Sequence, residues 1–495
     1  MTEVVRDVLR VFRQRSGDSA PPPVEVPRAA AMEFEVRIPA GIAGTAITEL
    51  ESGLHRVVTD RASALGVDRG VSVQVTPSEA AGSTIAVWAA GRPLAVGLPD
   101  VSAIPGAPSA PPEDWAPNVV RAIDRALLRR LSFLLDAQLT QQHAAALQAR
   151  LSDDRPDSYR GVPGYLLDNG ISLAQTDRLD DIPGLRQCDS AAEIGELLID
   201  RLAPAEIAVE VSEDVLRRTP ADQAAALIGA REALYAQTGL QFPDVRIVPV
   251  DEPRGTVRIQ LNHVKLPEAR LAEAQGWQDV VPVLSAVLRV FAPWFLRVSS
   301  VGAARSQLAD ALPDLISLSR SLYPEPLLSA CLRSLMVHGD STRNLPRILW
   351  LLLEAGTIGT GSDRVRLTES PHLPSAATTP VVQRDPELLA SALRKQIAEE
   401  AWRVGAADSG DRYVCLPIDV EIALVEPTDG DALAAAEWSA VEMVGPLNPP
   451  FTVVAHSTRG LRALQYALCA LPEPPRVVAS QELPPDTDVY PVSVT

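Results

Sequence analysis

One order of elements, a strand, a helix and two more strands followed by helices, occurs twice along this sequence and limits its fold more than any other feature. The first strand, over 33–38, alternates polar and apolar residues, which is typical of a half-buried strand. The elements predicted after it are a helix over 47–57 and strands over 71–75 and 84–88. The second set is predicted as a strand over 206–211, a helix over 221–237 and strands over 244–248 and 255–261. Each set predicts a small α+β unit with an antiparallel sheet.

The two sets also agree in residue spacing. Corresponding positions are Leu54 and Leu227, Gly66 and Gly239, Thr84 and Thr256, and Leu127 and Leu288. We therefore predict a diverged tandem duplication, with a first copy at 31–200 and a second copy at 205–360. Two unrelated α+β units remain the alternative, because few residues are identical.

The ends of the chain differ from the two copies. Residues 1–30 predict an N-terminal helix followed by a proline-rich linker. Residues 380–495 predict a C-terminal α/β subdomain. In it, irregular strands over 405–435, including 419–425, precede a buried strand at 451–455, a helix at 459–471 and two more strands. The predicted fold class is α+β with several small subdomains: tandem ferredoxin-like units, helical units and this C-terminal α/β unit.

Charge and cysteine usage exclude several classes of function. The formal net charge of -18 argues against binding to nucleic acid or to an anionic membrane, because both need a basic face. The four cysteines stand far apart, so we expect no metal site. The sequence has neither a P-loop nor a Gly-x-Gly-x-x-Gly run, and we expect no cofactor. No stretch has the ~18 uninterrupted apolar residues that a membrane span needs. We therefore predict a cytoplasmic location without direct membrane insertion.

Residues 326–354 predict two helices joined by a polar turn. His338 is expected to be an exposed residue of that turn, and Ser341 or Asn344 can cap the second helix. Trp350 lies outside the apolar stripe of the second helix and makes it apolar most of the way round. A helix of that kind is buried or covered by a neighbour.

This stretch resembles the cytosolic domain of the type III export-gate (FHIPEP) family, which flagellar and virulence secretion systems share. The family pattern of a helix, a glycine turn, Arg-Asp-Leu and a second helix is matched by Gly339, Arg343, Asn344 and Leu345. Two further matches follow the family order. They are the run at 239–248, Gly-Leu-Gln-Phe-Pro-Asp-Val-Arg-Ile-Val, and the run at 477–483, Val-Val-Ala-Ser-Gln-Glu-Leu. The resemblance covers about 205–495, with weaker echoes in 31–200.

The resemblance implies a non-enzymatic soluble component similar to the ring and docking domain of a type III protein export apparatus. It implies protein partners, self-association into a ring, and a membrane-bound partner. The residues that we expect at a contact with a neighbouring subunit are Arg343, Asn344, Trp350 and Arg459. The family's membrane half has no counterpart here, and its long inserted subdomain is reduced to 265–280, so we expect neither the gate itself nor its chaperone groove. A soluble scaffold or adaptor derived from the family and working in another assembly is the alternative.

Two further alternatives belong to other classes of function. A hydrolase would use Ser457 as its nucleophile, but Ala455 and Arg459 occupy the positions where a nucleophile elbow needs glycine. A serine after a buried strand is also a common helix cap. A winged-helix DNA-binding regulator would use Arg343 and Arg347, with a hairpin at 364–368. We interpret Ser457 as a cap and the helix pair as structural.

Overall fold

The structure is a computed structural model of the 495-residue chain. It describes residues 31–39, 42, 44–67, 69–78, 84–99, 115–153, 155–179, 182–213, 215, 223–251, 255–271, 277–355, 357–358, 381–382, 384–403, 412–447, 450–471, 474–483 and 487–492.

The first copy is built on a four-stranded sheet and one crossing helix. Its elements are β1 (Met32–Pro39), α1 (Gly44–Ala64), β2 (Val71–Ser78), β3 (Thr84–Ala89) and β4 (Arg92–Pro99). The strand order is β2-β1-β3-β4. The expectation of an antiparallel sheet is wrong for one pair, since β1 and β2 run parallel. The reason is that α1 carries the chain back across the sheet, and such a crossover brings the next strand in parallel.

The second copy has the same topology. Its elements are β5 (Ile207–Ser212), α7 (Gln223–Thr238), β6 (Val245–Val250), β7 (Thr256–Leu261), β8 (Val264–Lys265) and β9 (Ala269–Arg270). The order is β6-β5-β7-β8, with β9 also paired to β7 and with β5 and β6 parallel. Common origin of the two copies stays a prediction, and this shared topology is what a duplication would produce.

Each copy closes at a glycine in the left-handed region. Gly66 has φ 73° and Gly239 has φ 77°, and a Cβ on either would collide with the backbone of a later turn. That turn is held to the residue before the glycine by one backbone bond. Leu173 N–H donates to the Leu65 carbonyl oxygen at 2.8 Å, and Thr342 N–H donates to the Thr238 carbonyl oxygen at 2.9 Å. Glycine is needed at both joints because of this close approach.

Helices cover the sheets and connect the units. Those of the first copy are α2 (Trp115–Leu128), α3 (Ala137–Arg150), α4 (Pro156–Tyr159), α5 (Val162–Asp168) and α6 (Ala191–Leu202). Those after the second sheet are α8 (Trp277–Val290), α9 (Val298–Leu308), α10 (Pro313–Leu322), α11 (Glu325–Val337), α12 (Leu345–Ala355) and α13 (Pro386–Arg403). Helix α6 packs between α5 and α11, and α11 packs in turn against α13. One continuous apolar core therefore runs through both copies and α13.

The terminal unit is an open parallel α/β layer. Its elements are β12 (Arg412–Cys415), α14 (Ile418–Val425), α15 (Gly430–Val444), β13 (Phe451–Ala455), α16 (Thr458–Leu468), β14 (Arg476–Ala479) and β15 (Val489–Pro491). All strand pairs are parallel, in the order β14-β13-β12-β15. The unit has an apolar core of its own.

The prediction of a strand at 419–425 is wrong, because these residues lie in helix α14. The sequence there alternates apolar and polar residues, and that alternation indicated a strand. The side chains that the helix buries are Val420, Glu421 and Leu424, which follow helical spacing instead. Glu421 is buried because its carboxylate accepts hydrogen bonds from the start of α16.

The terminal unit packs against the edge of the first sheet. Val96 in β4 donates its N–H to the Ala470 carbonyl oxygen at 2.9 Å. Trp88 of β3 also meets Trp438 of α15, with ring centroids 5.4 Å apart. The C-terminal end of the chain is therefore joined to its first copy as well as to its second.

The predicted α+β class, with tandem small-sheet units, helical units and a C-terminal α/β unit, is confirmed. The hairpin predicted at 364–368 lies outside the described residues. Strands β10 (Thr357–Ile358) and β11 (Val381–Val382) pair on either side of that segment. No helix in the described part of the chain is long and apolar enough to cross a membrane.

Candidate protein-docking surfaces

The turn before α12 carries two of the predicted contact residues. Asn344 caps the helix, because its Oδ1 accepts the Arg347 N–H at 3.3 Å. The prediction that Ser341 or Asn344 caps this helix is thereby confirmed for Asn344. The side chains of Arg343 and Asn344 are both exposed. Thr342, the residue before them, is buried where the turn meets the end of α7. The buried threonine fixes the turn while the exposed residues stay accessible.

Trp350 is the exposed apolar residue of a helix whose other apolar residues are buried or half-buried. Its neighbours Leu349 and Leu351 are buried, whereas Trp350 is 57% exposed. The indole Nε1–H donates to Glu354 at 2.9 Å, one turn further along α12. Of the two arrangements expected for this helix, burial within the chain is therefore not met at Trp350, and a large apolar side chain remains at the surface.

A second exposed apolar surface lies next to Arg343, and we call it the α7 face. Ile228 and Tyr235, two turns apart on one side of α7, are 58% and 37% exposed, and Val290 at the end of α8 is 56% exposed. The Arg343 guanidinium lies 5.9 Å from the centroid of the Tyr235 ring, within the range of a cation–π contact. Arg289, beside Val290, donates to the neutral side chain of Gln237 at 3.1 Å. The α7 face thus combines apolar side chains with two arginines.

The first copy does not repeat this surface. At the positions that the repeat spacing makes equivalent to Ile228, Tyr235, Val290 and Arg343, the first copy has His55, Ala62, Arg129 and Ala174. Two of these are small and two are basic, so the exposed apolar patch belongs to the second copy alone. A contiguous exposed apolar patch is a common mark of a protein-binding surface.

Arg459 lies elsewhere, in a cleft of about 800 Å³ that we call the junction cleft. Its walls come from β4 and the start of α6 in the first copy, from the start of α13, and from α14, α15 and α16 of the terminal unit. Arg459, Arg462, Ala463 and Tyr466 follow one side of α16 into it. The cleft exists only where the first copy and the terminal unit meet.

The rear of the junction cleft is fixed by stacked rings and arginines. Tyr466 stacks on Phe133 with centroids 5.8 Å apart, and Arg130 lies 4.2 Å from the Tyr466 ring. Arg92 and Glu437 form an ion pair of 2.6 Å there. Burial, together with the carboxylate of Asp168, raises the pKa of Tyr466 to about 12, so its hydroxyl stays protonated at neutral pH.

Ser457 acts as the cap of α16. Its Oγ accepts the Gly460 N–H at 2.9 Å and donates to the Glu421 carboxylate at 2.7 Å. The neighbouring His456 ring contacts the Leu416 carbonyl oxygen at 3.0 Å. Within the described residues, then, the hydroxyl of Ser457 is held by a carboxylate and an amide and forms no hydrogen bond with a histidine, which is the base of the usual serine triad.

His338 is not the exposed turn residue that the sequence indicates. It is partly buried, and its ring nitrogen Nδ1 is 2.7 Å from the Gln465 side chain of α16. Burial, aided by the nearby Arg394, Arg476 and Arg462, lowers the pKa of His338 to about 3. The terminal unit, which local sequence does not place here, covers the turn.

The four predicted contact residues therefore lie in three places. Arg343 and Asn344 share the turn, Trp350 lies further along α12, and Arg459 lies in the junction cleft. The sequence reasoning missed Tyr235 and Tyr466, whose positions depend on how the units pack. Over the ranges that the structure describes, no three His, Cys, Asp or Glu side chains are grouped as a metal site would need.

No protein-family model matches the sequence, and no curated protein matches it. Solved structures do match. The Chlamydia pneumoniae CdsV protein is 15% identical over 58% of this chain and 96% of its own, with a TM-score of 0.43. The Shigella flexneri MxiA protein is 13% identical over 58% of this chain and 97% of its own, with a TM-score of 0.43.

A third similar structure is the nonameric EscV cytosolic domain from the type III secretion system. It is 11% identical, covers 59% of this chain and 98% of its own, and has a TM-score of 0.44. This third structure is a cytosolic domain from a type III secretion system, the class of protein that the sequence resemblance names. Each match covers little more than half of this chain, at 11 to 15% identity and with a TM-score below 0.5.

Proposed function

We propose that this chain is a non-enzymatic protein-docking component that associates with further copies of itself through the α7 face. The observation that carries the proposal is the exposure of Ile228, Tyr235 and Val290, with Arg343 against the Tyr235 ring, at positions where the first copy has small or basic residues. Burial of these side chains against a neighbour would remove an apolar patch from water.

The setting that we propose is the cytoplasmic side of a type III-like export apparatus, next to a membrane-bound partner. This setting follows from the sequence resemblance. The EscV cytosolic domain is nonameric, and we propose a ring for this chain without fixing its number of subunits. Arg343, Asn344 and Trp350 are the proposed contact residues nearest the turn of the second copy.

Charge opposes this association. The net charge of -18 makes identical chains repel each other. Added salt screens that repulsion and leaves apolar contacts in place, so we expect association to be weak at low salt and stronger at high salt. Arg289 and Arg343 lessen the repulsion locally, because they place positive charge on the proposed interface.

Analytical ultracentrifugation over a range of concentrations, at low and at high salt, tests the proposal. Wild type is expected to sediment faster as concentration rises, whereas the variant Tyr235→Ser with Val290→Ser stays monomeric. Ile418→Ser with Ile422→Ser is the matched control, since both isoleucines are exposed apolar residues of the terminal unit. A wild type that is monomeric at every concentration in both salts would leave a monomeric adaptor as the better account.

A further inference from the structure

The junction cleft has the properties of a binding site that the self-association proposal does not use. Its volume of about 800 Å³ lies within the range of ~300 to 1,000 Å³ that ligand pockets occupy. Leu424, Leu433, Ala463 and the ring of Tyr466 contribute apolar surface to its walls. Such pockets bind through apolar contact and take their specificity from a few polar groups.

The arginines of the junction cleft differ in their partners. Arg92 pairs with Glu437 at 2.6 Å, Arg462 approaches Glu387 at 3.4 Å, and Arg384 pairs with Asp189. Arg459 is exposed, and the described residues give it neither a hydrogen bond nor an ion pair. It is therefore the lining cation whose charge is available to a ligand.

Arg459 lies at the beginning of its helix. It follows Thr458 in the first turn of α16, where the helix dipole favours anions and disfavours cations. The buried Glu421 carboxylate already accepts the first N–H groups before that helix, from His456 and Ser457. The helix end is therefore completed without Arg459, whose side chain lines the cleft.

We propose that the junction cleft binds a short segment of a protein partner in which one carboxylate side chain stands among apolar side chains. The carboxylate pairs with Arg459, and the apolar side chains pack against Leu433, Ala463 and Tyr466. A small inorganic anion fits less well, because anion sites bring several donors together, whereas this cleft offers one uncommitted arginine and apolar walls. The site requires the first copy, since Arg92 and the start of α6 form part of its wall.

Panning of random heptapeptides displayed on phage against the full chain tests this proposal, because displayed peptides carry no free C-terminal carboxylate. A selected peptide is then made with both ends blocked, together with its counterpart in which the acid is replaced by the amide. Fluorescence anisotropy gives the Kd of each peptide for wild type, Arg459→Gln and Leu433→Glu. Arg129→Gln, at an exposed arginine outside the cleft, is the control with the same loss of charge.

We expect selected peptides to carry an acidic residue within an apolar run. Arg459→Gln should raise the Kd of the acidic peptide about tenfold, which corresponds to the loss of one charge-assisted contact. The Kd of the amide peptide should stay unchanged. Leu433→Glu should abolish binding of both, and Arg129→Gln should change neither. Failure to select any peptide, selection of peptides without acids, or equal binding to wild type and Arg459→Gln would overturn the proposal. Because the site lies within one chain, these outcomes do not depend on whether the chain self-associates.

Discussion

Glu196 of α6 and Arg333 of α11 form a buried, doubly hydrogen-bonded ion pair across the boundary between the two copies. Arg333 Nη2 lies 2.8 Å from Glu196 Oε2, and the second guanidinium contact is with Oε1. Ser329 and Tyr165 each donate a hydroxyl to the same carboxylate at 2.6 Å, and the Leu296 carbonyl oxygen accepts from Arg333 at 2.9 Å. Both charges are therefore satisfied without water, and the pair fixes how α6 sits on α11.

Removal of one partner of this pair should be costly. We expect Glu196→Ala to lower the free energy of unfolding by about 3 to 5 kcal/mol, because it leaves the Arg333 charge buried and uncompensated. The double variant Glu196→Leu with Arg333→Met should lose much less stability than Glu196→Ala, because it leaves no buried charge without a partner. Urea unfolding measures both. The exposed pair of Glu35 and Arg37 is the control, and Glu35→Ala should cost less than about 1 kcal/mol. A single variant at Glu196 that is as stable as wild type would contradict this account.

The predicted boundary at residue 205 remains open to test. We expect the fragment 205–495 to fold cooperatively but to melt below the full chain. It leaves Arg333 without Glu196, and it uncovers Trp294, whose Nε1–H donates to the Asp168 carbonyl oxygen at 2.9 Å in the first copy. A thermal melt followed by circular dichroism decides the matter. An insoluble fragment, or a melt without a cooperative transition, would show that both copies are needed for folding.

The two joint glycines should respond alike to substitution. We expect Gly66→Ala and Gly239→Ala each to destabilise the chain by more than about 2 kcal/mol, since the strain of positive φ adds to a collision with backbone atoms. Gly339→Ala is the control, because Gly339 also has positive φ, at 83°, but faces open space. Gly339→Ala should lose only about 1 kcal/mol of stability, because it adds conformational strain without a collision. Denaturant midpoints compare the three, and equal losses at all three sites would argue against the collision.

Ser457→Ala should cost the chain a helix cap and nothing else. The expected loss is about 1 kcal/mol, because the Gly460 N–H and the Glu421 carboxylate both lose a partner. Wild type and variant are also assayed with an activated ester. Equal background rates are expected, and hydrolysis by wild type that disappears in Ser457→Ala would restore the hydrolase alternative.

Stability should fall in mild acid because of His338. Burial keeps its pKa in the folded chain at about 3, whereas the unfolded chain takes up a proton near the ordinary value of about 6.5. The unfolded state therefore binds more protons between these two values, and stability is lost as pH falls below about 6.5. At pH 5 the loss should be about 1 to 2 kcal/mol. Between pH 7 and pH 4, the free energy of unfolding should change less with pH for His338→Gln than for wild type. The control His55→Gln, at an exposed histidine, should follow wild type.

Local pattern predicted the elements whose neighbours follow directly in sequence. The alternation in β1 is an example, since Met32, Phe34, Val36 and Ile38 are all buried as a half-covered strand requires. The spacing between the copies likewise matched Gly66 with Gly239, the two glycines that the structure places at equivalent joints.

Features that arise from contacts between distant units could not be predicted in this way. Glu421 is buried by α16, which lies some 35 residues later in sequence, so the alternation around it was misleading. His338 is covered by Gln465 for the same reason. The α7 face and the junction cleft also arise from packing between units. No local pattern in the sequence indicated that Arg459 lies in such a cleft.

The bond between Val96 and Ala470 has a consequence for how the chain is made. Strand β4 is the outer strand of the first sheet, and the terminal unit that lies on it is synthesised last. Until residue 470 has left the ribosome, the completed first copy presents a bare strand edge, which can pair with the same edge of another nascent chain. Aggregation during synthesis should therefore be greatest in chains stopped before the terminal unit, and supplying that unit as a separate polypeptide should suppress it.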